Sequence, residues 1–252
     1  MLRTRVIPVL LLRERSLVKT RRFGRFRYIG DPTNTVRIFN ELEVDELCLL
    51  DISAARSRRA PAFELLRDVA SECFTPLAYG GGIADLETAK RVFDTGFEKI
   101  VVNTAATEHP DLIGQIARIY GTQAVVASID VSRDWLGRGG VFIRGATRRA
   151  HPDPVAWAKT LEQRGAGEIL LTSVQREGTY KGFDLDLVRA IARAVEIPVI
   201  AHGGAGQLAH VRQAVDAGAS AVALGSMVVY QKKDMGVLVN FPAPDVLRAL
   251  LP

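Results

Sequence analysis

Short apolar runs return along the chain at Val6–Leu12, Leu47–Asp51, Leu77–Tyr79, Ile100–Asn103, Ala124–Asp130, Ile169–Thr172, Val199–His202 and Ala221–Gly225. Most are continuous rather than alternating, as in strands buried on both faces of a parallel sheet. Between them apolar residues recur at three- and four-residue spacing, as Leu208, Val211, Ala214 and Val215 do, which predicts helices. Those helices fall at Thr35–Leu42, Ala62–Ser71, Leu86–Asp94, Asp111–Ile119, Pro154–Arg164, Leu185–Ala194 and Leu208–Asp216. Eight strands alternating with helices predict an α/β fold, a single (βα)8 TIM barrel over residues 1–252. Two long connections break the rhythm. Arg13–Thr33 follows the first strand, and Val131–Asp153 follows the fifth and reads as a β-hairpin around Gly137, Gly139 and Gly140. Both leave the strand ends where barrels carry their sites. The tail from Tyr230 reads as an extended stretch and a short helix.

The two halves of the chain repeat one another. Glu46 pairs with Glu168, Pro76 with Pro198, Gly81 with Gly203, Gly82 with Gly204, and Gly96 with Gly218, all at an offset of 122 residues. A repeat this long is half a barrel, not a solenoid unit. Each half holds a glycine loop after one strand and a hydroxyl residue after the next. One set is Gly81, Gly82, Asn103 and Thr104. The other is Gly203, Gly204, Gly225 and Ser226, joined by Gly178 and Thr179 from the loop after strand six. Bare N–H groups in such loops can cradle an anion, although glycine also serves plain turns. Two matched cups on opposite sides of one mouth point to a substrate with a phosphate at each end.

The net charge of +5 suits such an anion. Scattered arginines and 7% aromatic content argue against a nucleic-acid surface. Arg21-Arg22 and Arg148-Arg149 read as solvated loop charges. Cys48 and Cys73 have no metal spacing, and Cys48 lies in an apolar strand, so reduced thiols in a cytoplasmic protein are expected. The run Val6–Leu12 is too short, and too soon ended by Arg13-Glu14-Arg15, for a signal peptide; no run approaches membrane-spanning length. Neither a metal nor a cofactor is expected. His202, before the second glycine loop, reads as a hydrogen-bonded spacer or as an acid–base group.

Several stretches carry a family resemblance: Glu-Leu-Cys-Leu-Leu-Asp-Ile (46–52), Tyr-Gly-Gly-Gly-Ile (79–83), Val-Asn-Thr-Ala-Ala (102–106), Gly-Ala-Gly-Glu-Ile-Leu-Leu-Thr-Ser (165–173) and His-Gly-Gly-Ala-Gly (202–206). Over nearly its whole length the chain resembles the cyclase subunit of imidazole glycerol phosphate synthase. The resemblance implies a glutaminase partner docked at the barrel bottom. Its ammonia would cross the barrel and attack a bisphosphorylated intermediate at the top. The family's ring of gate charges matches Arg5, Glu46, Lys99 and Glu168. Without the resemblance these would read as structural salt bridges. Lys19 and Asp51 match substrate-binding positions, and Asp130 matches one of two catalytic aspartates.

The chain also departs from the family. Leu11 stands where the other aspartate belongs, Ala78 replaces a threonine, Gln175 replaces an aspartate, and Glu177 replaces an aspartate in the strand-six loop. The loss of a carboxylate, and the tail 232–242, resemble a branch that supplies ammonia for amidino groups on nucleotide-linked sugars of surface polysaccharides, together with a separate sugar amidotransferase. The first expectation is therefore an ammonia-conducting partner with weak or no cyclase activity. The alternatives are a genuine histidine-pathway cyclase with an altered acid–base set, and a non-catalytic activator of the glutaminase.

Overall fold

The computed structural model describes residues 4–57, 59–133, 138–232 and 235–251. Its strands are β1 (Arg5–Arg13), β2 (Ser16–Arg21), β3 (Gly24–Gly30), β4 (Leu47–Asp51), β5 (Leu77–Gly80), β6 (Lys99–Val102), β7 (Val125–Arg133), β8 (Gly139–Ile143), β9 (Arg148–His151), β10 (Glu168–Ser173), β11 (Val199–His202) and β12 (Ala221–Leu224). β1, β4, β5, β6, β7, β10, β11 and β12 pair in parallel, each with the next, and β12 closes on β1. This is the predicted (βα)8 barrel, with helices on the outside between strands. The period-3.6 segments form those helices within a few residues of the expected bounds, from Pro32–Glu41 to Leu208–Asp216. Asp31, Asp85, Asp153 and Asp184 accept hydrogen bonds from first-turn N–H groups of four of them, a capping contribution of about 1 kcal/mol each.

Side chains alternate along the barrel strands, so the core divides in two. One set, including Val6, Leu10, Leu49, Tyr79, Ile100 and Ile169, packs against the helices. The other, including Ile7, Val9, Leu11, Cys48, Ala78, Val101, Val126, Leu170 and Ile200, fills the barrel interior.

The long connections resolve differently from one another. The stretch after β1 is regular: β2 pairs antiparallel with β1 and β3 with β2, a hairpin leaning over the barrel mouth. The sequence reading marked it only as a long loop, because its alternation is broken by bulges near Val18 and Lys19. The stretch after β7 is the expected hairpin, with β8 pairing antiparallel to β7 and β9 to β8. Gly137, one of the glycines assigned to its turn, lies outside the described residues, as do Lys233 and Asp234 of the tail. The rest of the tail folds back with Leu238 N donating to Val229 O and ends in the helix Pro244–Leu250. Among the described residues no helix is long and apolar enough to cross a membrane.

Candidate functional site

Arg5, Lys99 and Glu168 open β1, β6 and β10, and Glu46 directly precedes β4. Parallel strands bring all four to the N-terminal end of the barrel. There they close a ring. Arg5 donates to Glu46 at 2.6 Å and to Glu168 at 3.0 Å, and Lys99 donates to Glu46 at 2.9 Å and to Glu168 at 3.0 Å. The carboxylates are the deeper members: the Glu46 side chain is 4% exposed and that of Arg5 28%. Burial disfavours the Arg5 charge, but the bonds and charges of Glu168 and Glu46 outweigh it and hold its pKa above the ordinary value. Two cations and two anions cancel, which is the condition for keeping charges in a poorly hydrated place. Above the ring the interior is apolar: Ile7, Cys48, Ala78, Val126, Leu170 and Ile200.

At the opposite end the barrel opens into a cavity of about 800 Å³. Leu11, Leu50, Ile52, Phe23 and Phe26 make much of its wall apolar, while Asp51, Asp130, Thr172 and His202 supply polar groups. The first glycine cup and Asn103 and Thr104 line one side. A smaller recess beside it is lined by Lys19, Gly178, Gly203, Gly204, Gly225 and Ser226, with Leu11, Glu177 and His202 shared between the two.

The cups are copies in backbone as well as in sequence. Gly82 has φ 69° and Gly204 φ 113°. A Cβ on Gly82 would lie 2.5 Å from Arg59 O, and one on Gly204 would lie 2.2 Å from Gly182 O. Only glycine fits either place. Asn103 (φ −116°, ψ −81°) and Gly225 (φ −104°, ψ −99°) share an unusual conformation. Each leads into a short helix beginning at Thr104 or Ser226.

Not every expected residue meets a cup. Thr179 donates to Arg176 O at 2.6 Å and lies outside both linings, so its hydroxyl serves its own loop. Asn103 Nδ2 donates to Ser128 O at 3.0 Å and to Asp130 Oδ2 at 3.3 Å, which ties it to the carboxylate. Asp51 Oδ1 accepts from Ser53 N, Ser53 Oγ and Ala54 N and so shapes the loop after β4 while it lines the cavity. Gln175 leaves the centre: its Nε2 donates to Ser132 Oγ at 2.8 Å. Glu14 is exposed beyond the strand end and cannot stand in for a carboxylate at position 11.

Asp130, Lys19 and His202 are the deeply buried ionisable groups with perturbed affinities for protons at the mouth. Burial raises the Asp130 carboxyl to about 7, with a hydrogen bond from Thr172 opposing. Burial lowers Lys19 to about 8 against the charge of Glu177, and Lys19 Nζ donates to Val9 O. Burial and then the Lys19 charge lower His202 to about 3, leaving a neutral imidazole whose Nδ1 lies 3.1 Å from Thr172 Oγ1. Asp130, Thr172 and His202 thus share one chain of contacts. Thr172 received no notice in the sequence because a threonine inside a strand carries no signal; its neighbours come from β7 and β11. Arg144, which lines the cavity beside Thr104, was missed because no local pattern links its hairpin turn to the loop after β6.

Residues 5–234 match the family profile described as histidine biosynthesis protein. A Pseudomonas aeruginosa protein, provisionally named imidazole glycerol phosphate synthase subunit hisF2, is 49% identical over 243 residues, covering 96% of this chain and 97% of its own. A Leptospira borgpetersenii protein, provisionally named subunit HisF of the same synthase, is 44% identical over 254 residues and the full length of both chains. The imidazole glycerol phosphate synthase subunit HisF of Thermococcus gammatolerans is 39% identical over 244 residues, 96% of each chain.

Proposed function

This chain belongs to the histidine biosynthesis protein family, among the cyclase-subunit-like barrels of imidazole glycerol phosphate synthase, and from that premise we propose that it conducts ammonia rather than closing an imidazole ring. In this reading a glutaminase seats over Arg5, Glu46, Lys99 and Glu168 and releases ammonia into the barrel. The ammonia leaves at the mouth and is used by a separate amidotransferase to amidinate a nucleotide-linked sugar. Phosphorylated ligands occupy the two glycine cups.

The observation that carries the reading is Leu11. It lines both cavities at the mouth, 7% exposed, where the family resemblance implies a carboxylate opposite Asp130. Ring closure moves protons on and off in turn, and a positioned acid or base contributes roughly 10²–10⁴-fold to such a rate. The charge ring, by contrast, is whole, and the interior above it is apolar. Neutral ammonia crosses an apolar interior cheaply, whereas an ammonium ion carries a heavy desolvation cost. A conduit without a full acid–base pair is what those two features support. The sugar as acceptor rests on the resemblance of the tail and of the missing carboxylate.

The test is turnover. The chain is purified together with any glutaminase that binds it and given the bisphosphorylated ribulosyl intermediate of histidine biosynthesis, with and without excess ammonium. Turnover at least about 100-fold below an ordinary cyclase is expected. Turnover within about tenfold would establish the histidine-pathway reading instead. Failure to bind any glutaminase would remove the basis for a conduit.

A further inference from the structure

The two cups match in backbone but not in charge. The second has Lys19, whose Nζ would lie 3.2 Å from a Cβ on Gly225. The first, as the repeat defines it, has no cation: Gly81, Gly82, Asn103 and Thr104 are all neutral. A dianion there would be held by N–H groups and one hydroxyl alone. The structure supplies a cation from outside the repeat.

Arg144 sits in the turn between β8 and β9, in the excursion that follows β7. Its backbone N–H donates to Thr104 Oγ1 at 3.1 Å, and Arg144 lines the cavity with Gly82 and Thr104. Thr104 Oγ1 accepts that bond and donates to Asn103 Oδ1 at 3.5 Å, a long contact that holds its proton weakly. The Arg144 guanidinium is only partly engaged. Its Nη2 donates to Glu108 Oε1 at 2.7 Å, and Arg148 Nη2 donates to the same oxygen at 2.9 Å. Two guanidinium groups on one carboxylate leave a net positive charge. Arg144 Nε is buried and has no hydrogen-bond partner among the described residues. A buried, charged N–H without an acceptor is costly and rare in native structures. The backbone at Arg144 (φ 56°) and Ala146 (φ 62°) is held where side-chain-bearing residues seldom sit. The turn is therefore kept in place by more than its own preference, and the residue it sets beside Thr104 is an arginine.

We infer that Arg144 is the cation of the first cup, binding a phosphate monoester dianion together with Gly82 and Thr104, with Glu108 and Arg148 holding its guanidinium in position. The guanidinium and the Thr104 hydroxyl both gain a partner in the phosphate oxygens. Arginine matches a phosphate edge with paired donors, so the cup prefers a terminal monoester to a singly charged diester. This inference deepens the reading of the two cups as phosphate sites and rests on it.

The experiment isolates the first cup. Ser226→Asp places a carboxylate in the second cup and repels an anion there. In that background, inorganic phosphate is titrated near pH 8 by calorimetry, with dimethyl phosphate as the diester comparator. Loss of a charge-assisted bond predicts about a 10- to 100-fold weaker affinity for phosphate in Arg144→Gln. Arg144→Lys, which keeps the charge but not the paired donors, falls between. Dimethyl phosphate should bind weakly and equally to all three. Unchanged phosphate affinity in both Arg144 variants, each melting like its parent, overturns the inference and leaves the cups intact. If wild type binds phosphate but the Ser226→Asp background does not, the first cup is no anion site and the reading of two cups falls with it.

Discussion

Asp130 is the ionisable group whose environment departs most usefully from the ordinary, and replacing it with asparagine measures by how much. Burial moves its carboxyl from an ordinary 3.8 to about 7, against a hydrogen bond from Thr172. A folded state that holds a proton more tightly than the unfolded chain is favoured at low pH. That stability is complete below about pH 4 and is lost as pH rises through about 7. Each tenfold change in a proton-binding constant is worth about 1.4 kcal/mol, so ionising Asp130 costs the fold about 4 kcal/mol by pH 8.5, of which about 3 kcal/mol falls above pH 5. Asparagine keeps the shape and stays neutral. Asp130→Asn should therefore gain about 3 kcal/mol relative to wild type between pH 5 and pH 8.5. The difference between two urea-melt series reads this directly. Lys19 and His202 titrate in both proteins, so their contributions largely cancel. Carbon-13 titration of the carboxyl gives the same midpoint independently. A difference flat to within about 0.5 kcal/mol, or a carboxyl titrating below about pH 5, would refute the claim that burial without a cation governs this site.

Other outcomes follow from the same geometry. Lys99→Ala leaves Glu46 and Glu168 to share Arg5, a net negative charge at a partly buried place. It should destabilise the barrel by about 1–3 kcal/mol in urea melts, less than for a fully buried pair because Lys99 and Arg5 reach solvent. In the glutaminase complex the same variant should hydrolyse glutamine without matched ammonia use; tight coupling there would count against a gate. Leu11→Asp restores a carboxylate to the mouth and should recover a fraction of cyclase turnover, limited by Ala78 and by Gln175, which is tied to Ser132; no gain over wild type would place the defect elsewhere. Thr104→Val and Ser226→Ala each remove one hydroxyl donor and should weaken a bisphosphorylated ligand about three- to tenfold by calorimetry. Crystals soaked in phosphate with both cups empty would contradict the substrate geometry.

The barrel was legible in the sequence because its signals are local. Continuous apolar runs and helical periodicity act over a few residues, and their alternation leaves little choice of fold. The ring of Arg5, Glu46, Lys99 and Glu168 was picked out by the family resemblance, and its closure follows because parallel strands bring equivalent positions to one end. The glycine cups were readable because the chain states them twice at one offset, and Leu11 only because the family resemblance implies an aspartate at its place. What the sequence left open depends on lateral neighbours, which barrel closure alone decides. The hairpin of β2 and β3 was read as a loop because its bulges break the period. Thr172 meets His202 across 30 residues, and Arg144 meets Thr104 across 40, with no local pattern to announce either contact. The proton affinity of Asp130 is likewise a property of the closed mouth: an aspartate at a strand end is ordinary in sequence, and becomes perturbed only when the surrounding walls exclude water and bring it no cation.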